Sequence, residues 1–192
     1  MGRTHFFGAR GLGTALLAAI ASMLGKTGAR AGVVDEVKAG VLAHDVGLLG
    51  DHVEGGADIT GEVLFTSPQF LAPIGAPRPT LGASVNTAGK TDYLYADLTW
   101  TGTLWHPMLR PQDGVYVGGA LGGAVHDGRL NQSVDDDKPL GTRALFHVGV
   151  ELGYQISAAN SVEIYLDHLS NADTSTHNPG LNNIGLRTGF KF

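Results

Sequence analysis

The run from Arg143 to Ile156 alternates without a break. Ala144, Phe146, Val148, Val150, Leu152, Tyr154 and Ile156 fall on one side, and Arg143, Leu145, His147, Gly149, Glu151, Gly153 and Gln155 on the other. Successive side chains of a strand point to opposite faces, so this segment is a strand with one hydrocarbon face and one face of charge, amide and glycine. The same split recurs in Ile59, Gly61, Val63, Phe65 against Thr60, Glu62, Leu64, Thr66, and in Leu81, Ala83, Val85 against Thr80, Gly82, Ser84, Asn86. Period-2 alternation marks eight strands, at roughly 35–45, 58–67, 78–88, 91–105, 114–126, 142–157, 160–171 and 181–192, with Gly, Pro, Asn and Asp between them. Helical periodicity is absent after Lys26.

The polar face decides between two closed architectures. A soluble barrel keeps its apolar face inside and scatters charge outside, whereas here the glycine-rich face carries charges of both signs. Lys38, Glu62, Asp97, Arg143, Glu151, Glu163 and Arg187 are all expected to point inward, where opposite charges pair and glycines make room. The predicted fold is all-β: an eight-stranded antiparallel up-and-down transmembrane β-barrel whose strands are long enough for the ~9–11 tilted residues that cross a bilayer.

A cleaved signal peptide is expected ahead of the barrel. Arg3 and Arg10 give a positive start, Gly11 to Gly25 is uncharged and rich in Ala and Leu, and Ala29-Arg30-Ala31 supplies small residues for cleavage after Ala31. The division is therefore 1–31 signal peptide and 32–192 barrel domain. Removing the leader takes four of the 13 Lys+Arg and none of the 18 Asp+Glu, so acids outnumber bases two to one and general nucleic-acid binding is excluded. With no cysteine, disulfide scaffolds, thiolate zinc sites and cysteine nucleophiles are excluded too. No metal or cofactor is implied.

With the amino end on the periplasmic side, the outer loops are predicted at 46–57, 89–90, 127–141 and 172–180. The loop 127–141 contains Asp135, Asp136 and Asp137, an acidic run that reads first as a solvated surface and second as a divalent-cation site bridging phosphates. The connection 68–77 is long for a periplasmic turn, and Pro73, Pro77 and Pro79 stiffen it.

Strand seven carries the candidate chemistry. Its even face runs Val162, Ile164, Leu166, His168, Ser170, beginning as lipid-facing hydrocarbon and ending at the outer rim with two polar residues. Residues i and i+2 on one strand face have Cα atoms ~6.5–7 Å apart, close enough for an imidazole to take a proton from a serine hydroxyl, the pairing a serine nucleophile needs. If the antiparallel eighth strand places Asn182 opposite His168, its amide can orient the ring.

The stretch His168-Leu169-Ser170-Asn171-Ala172 resembles the H-x-S-N motif of the PagL-type lipid A 3-O-deacylases, the acyloxyacyl hydrolase family of outer-membrane barrels. Asn178-Pro179-Gly180-Leu181 and Gly185-Leu186-Arg187 are similar to that family's end, and the likeness covers about 142–192. The terminal Leu186, Thr188, Phe190, Phe192 face also resembles the signature that the barrel assembly machinery reads. The resemblance implies a serine esterase in the outer membrane of a Gram-negative bacterium, removing an ester-linked 3-hydroxyacyl chain from the lipid A of lipopolysaccharide. His168 would be general base and Ser170 nucleophile, with Asn178 or Asn171 the oxyanion donor. The family's third residue is a glutamate, and the matching position here is Asn182; Asp173 and Asp167 are the acidic stand-ins to consider. The alternative is a non-catalytic barrel, structural or adhesive, that retains the family fold. His44, His52, His106 and His126 show no carboxylate or histidine partner at ligand spacing and read as loop or strand-end residues. His147 reads as an inward structural group beside Glu151. Trp100, Trp105 and Tyr93 read as interface or interior aromatics.

Overall fold

A computed structural model describes residues 33–48, 50–106, 113–131 and 137–192. The predicted leader 1–31 and the acidic residues Asp135 and Asp136 lie outside the described residues. Eight antiparallel strands close into a barrel in sequence order: β1 (Val34–Ala43), β2 (Ala57–Phe65), β3 (Arg78–Asn86), β4 (Tyr93–Trp105), β5 (Gly114–His126), β6 (Ala144–Gln155), β7 (Asn160–Ser170) and β8 (Leu181–Lys191). Closure comes from β1 pairing with β8, for example Lys38 with Gly189. One end, the loop end, carries the connections 44–56, 87–92, 127–143 and 171–180. At the other, the turn end, the long connection 66–77 holds a 3-10 helix, Gln69–Ile74, whose Ile74 carbonyl accepts a hydrogen bond from Trp100 Nε1 at 2.8 Å. Tyr93 is an interior aromatic, 1% exposed, and Trp105 an exposed one.

The strand faces lie as the alternation predicts. On β6, Val148, Val150 and Leu152 are 40–51% exposed, while Leu145, His147 and Glu151 are at most 5% exposed. The hydrocarbon is outside, where a bilayer would cover it, and the charges are inside. Lys38 Nζ lies 2.6 Å from Glu151 and 2.9 Å from Glu163, and Arg187 lies 3.1 Å from Glu62, 2.8 Å from Glu151 and 2.5 Å from Glu163. Tyr116 and Tyr95 hydroxyls donate to Glu163 and Glu62. Each buried charge is thus met by opposite charge or a hydrogen bond, without which its desolvation would be costly.

Glycine is what lets these side chains fit. A Cβ on Gly82 would lie 2.0 Å from the Tyr95 ring and one on Gly153 2.1 Å from the Tyr116 ring. A second interior layer, nearer the loop end, joins His147 Nδ1 to Asp97 at 2.7 Å, with Asp167 3.6 Å from Nε2. His147 therefore points inward as expected, but its partners are Asp97 and Asp167 rather than Glu151. Arg143 departs from its predicted inward position. It precedes β6, is exposed, and donates to the carbonyls of His126 and Gly128, because the alternation continues one residue beyond the point where the ladder ends.

Candidate active site

The register between β7 and β8 pairs His168 with Asn182 and Leu166 with Ile184. This brings the two polar side chains together on the outward face at the loop end. His168 Nδ1 lies 2.8 Å from Asn182 Oδ1. An amide oxygen only accepts, so Nδ1 carries the ring proton and the neutral imidazole keeps its lone pair on Nε2. Ser170 follows two residues later on the same face, half-buried, opposite Phe146 of β6. Among the described residues its hydroxyl has no hydrogen-bond partner; a serine and base joined only when substrate is bound is a common geometry in empty sites.

Two features hold the ring. Gly180 has φ +66°, and a Cβ there would come within 2.9 Å of His168 Cε1, so this position needs glycine for both conformation and space. Asn182 is fully buried, and its Nδ2 has no acceptor among the described residues. The amide is spent on His168 through its oxygen alone.

The loop after Ser170 is built from the asparagines that resemblance nominates as oxyanion donors. Asn178 Oδ1 accepts the Asn171 N–H at 2.9 Å, and Asn178 Nδ2 donates to Asp173 at 3.0 Å. Asn171 Nδ2 donates to the carbonyls of Leu140 and His177. Both side-chain donors are thus already engaged in shaping the loop, with Ala172 and Asp173 at positive φ in its bend. Neither acidic stand-in is hydrogen-bonded to His168: Asp173 accepts from Asn178, and Asp167 faces the interior, accepting from Tyr93 and Asn183.

A buried latch braces the start of β8, and alternation gave no sign of it. Asp45, fully buried at φ +50°, accepts the N–H groups of Val53 and Glu54 through Oδ2 and Lys138 Nζ through Oδ1 at 2.5 Å. Its own N–H donates to Asn183, and the next residue, Val46, donates to the Asn182 carbonyl at 2.8 Å. Loops 44–56 and 127–143 are thereby tied to the backbone of the residue that orients His168.

His44 corrects the reading that it lacks carboxylate partners. Its ring sits 2.9 Å from Asp58 and 3.0 Å from Glu54, fully enclosed. Burial alone would push its pKa down, but hydrogen bonds to both carboxylates more than offset this and raise it to about 9. Glu54 is also opposed by burial, yet hydrogen bonds from His44, the Lys138 N–H and Thr91 hold it below the ordinary carboxylate value. Asp137, the described member of the acidic run, is paired with Lys90 at 3.2 Å and Arg129 at 2.7 Å.

The family model described as lipid A 3-O-deacylase (PagL) matches residues 78–191. Among solved structures the chain is similar to the outer membrane enzyme PagL, with 17% identity and a TM-score of 0.62, over 82% of this chain and 99% of that one. It is more distantly similar to the N-terminal β-barrel domain of Pseudomonas aeruginosa OprF (12% identity, TM-score 0.47, 83% and 99% covered). Neisserial surface protein A is similarly distant (15%, 0.44, 84% and 98%). At these identities the likeness is one of fold. No curated protein matches the chain.

Proposed function

From the chain's membership of the lipid A 3-O-deacylase (PagL) family, to which it belongs on the match over residues 78–191, we propose that it is a serine esterase of the outer membrane. The reading is that it removes an ester-linked 3-hydroxyacyl chain from lipid A in the outer leaflet. The observation that carries this is the 2.8 Å contact between His168 Nδ1 and Asn182 Oδ1, which leaves Nε2 free to act as base two residues from Ser170. In this mechanism His168 takes the Ser170 proton as Oγ attacks the ester carbonyl, then gives it to the sugar oxygen as the ester C–O bond breaks, so that the sugar leaves as a free hydroxyl. Water, activated by the same ring, releases the acyl group from Ser170.

Asn182 orients the ring but cannot offset the positive charge that develops on it, as a carboxylate would. Since Asn182 Nδ2 makes no hydrogen bond among the described residues, Asn182→Asp should lose no contact and should raise the rate. The test is mass spectrometry of lipid A incubated with the protein folded in detergent. Loss of one 3-hydroxyacyl chain with the wild-type protein, abolished in Ser170→Ala and His168→Ala, supports the reading. No release from the wild-type protein or from Asn182→Asp favours the non-catalytic barrel.

A further inference from the structure

Ser170 begins a single hydrogen-bonded row that crosses the outside of the barrel. Ser170 pairs with Phe146, Phe146 with Gly123, Gly123 with Ala96, Ala96 with Leu81 and Leu81 with Val63. The row continues through Val37 to Phe190. All of these residues are on the outward face. On β8, Leu181 pairs with Leu169, so the row starts level with Gly180 and ends at Phe190 of the same strand. Because of this shear it descends the equivalent of ten residues, about 33 Å along β8, from the loop end to the turn end.

Phe146, 54% exposed, stands beside Ser170 at the head of the row, and beyond it the surface is concave. Around Gly123 and Ala96 lies an apolar groove of about 420 Å³ banked by Leu94, Val125 and Ala144. It is continuous, through Leu81 and Ala96, with a second of about 550 Å³ banked by Leu98, Leu121 and Phe65. The lower end is closed where Val63 and Val37 pack under Phe65, Phe190 and Phe192. Off the row, the outward surface of β6, β7, β8 and β1 presents bulky side chains and neither of these grooves: Val150, Ile164, Leu186 and Val41 are all 49–68% exposed.

We infer that this furrow is the seat of the acyl chain of the ester attacked at Ser170, and that Gly123 and Ala96 set the length of chain accepted. The inference rests on the esterase reading of Ser170 and deepens it. From Ser170 to Leu81 is four inter-strand spacings, about 19 Å, the reach of an extended fatty acyl chain. The chain's polar end would lie at the loop end and its methyl end at depth, the orientation a bilayer lipid already has. Lipid tails are as apolar as the furrow, so selection comes from close packing and orientation rather than from transfer out of water.

Leucine at Gly123 fills the furrow while the backbone accommodates it: the nearest atom to a Cβ there is the Leu145 carbonyl oxygen at 3.5 Å. Gly119, on the same strand face but off the row, has nothing within 4 Å of such a Cβ and serves as control. The experiment measures hydrolysis of p-nitrophenyl laurate and p-nitrophenyl acetate by detergent-folded full barrels. In Gly123→Leu and Ala96→Leu the laurate-to-acetate ratio of kcat/KM should fall about tenfold or more, and in Gly119→Leu it should stay at the wild-type value. A ratio unmoved by Gly123→Leu, or lowered equally by Gly119→Leu, overturns the furrow and leaves the esterase reading standing. Hydrolysis of neither ester by the wild-type protein counts against the esterase reading instead. The furrow is then decided by NMR with lipid A in deuterated micelles. Acyl-chain NOEs should reach the methyls of Ala96 and Leu81 and not those of Val41 and Leu186; equal contact with both sets overturns it.

Discussion

Lys138→Met should open loop 44–56 while leaving the barrel closed. Lys138 Nζ lies 2.5 Å from Asp45 Oδ1 and 2.6 Å from the Asp51 carbonyl, and both charged side chains are fully buried. Methionine keeps the length of the stem and removes the charge, leaving the Asp45 carboxylate enclosed with two backbone N–H donors and no cation. Stranding one member of a buried pair costs about 3–5 kcal/mol. Since about 1.4 kcal/mol is tenfold in an equilibrium, local opening should become roughly a hundredfold to a few thousandfold more frequent. Amide hydrogen exchange reads this directly: protection at Val53 and Glu54, whose N–H groups Asp45 holds, should fall by that factor. Protection of Val117 and Leu152, paired in the β5–β6 ladder, should be unchanged. Adding Asp45→Asn, which removes the stranded charge, should recover part of the loss. Wild-type protection at Val53 and Glu54 in folded Lys138→Met would refute the latch.

Three further outcomes follow from the geometry. Gly180→Ala places a methyl 2.9 Å from His168 Cε1 at φ +66° and should cost about 1–2 kcal/mol in denaturant unfolding. It should also displace the His168 ring signals in NMR, whereas Gly119→Ala should do neither. His44, raised to about 9, contributes stability that is complete below its unfolded value of about 6.5. That contribution declines above 6.5 and is lost as pH rises through 9, so its imidazole should titrate near pH 9 by NMR with loop 44–56 loosening in step. A ring already neutral at pH 7.5 would contradict the two-carboxylate clamp. Val150→Arg, outward and 49% exposed, should cost ~2–4 kcal/mol at mid-bilayer depth and block assembly, read as loss of the heat-modifiable folded band. Arginine at Gln155, at the strand end, should be tolerated.

Much of the fold was legible because a barrel wall has only one periodicity to obey. Once Val148 and Glu151 belong to opposite faces, the whole of β6 is oriented, and the short turn 157–159 then constrains how β7 returns. The pairing of His168 with Asn182 could be anticipated for a similar reason: both lie on adjacent strands with matched faces, and only registers shifted by two residues compete. What alternation cannot reach is contact between strands that are not neighbours in sequence, or within loops. His147 meets Asp97 50 residues away across the interior, a distance set by barrel closure and shear. His44 meets Glu54 and Asp58 because loop 44–56 folds back over the rim, and Lys138 reaches Asp45 from another loop altogether. Arg143 shows the opposite failure, since alternation in sequence outran the ladder. The furrow below Ser170 depends on the pairing of five strands and becomes visible only with every register in hand.

The central claim is that Ser170 is a nucleophile made reactive by His168, and an alkyl fluorophosphonate tests it at the atom concerned. The phosphorus accepts the serine oxygen and releases fluoride, so intact mass followed by peptide mapping reports which hydroxyl reacted. The wild-type barrel should gain one phosphonyl group on Ser170, Ser170→Ala should gain none, and His168→Ala should react at least about 10²-fold more slowly. Labelling elsewhere, or on Ser170 at the same rate without His168, would contradict the account.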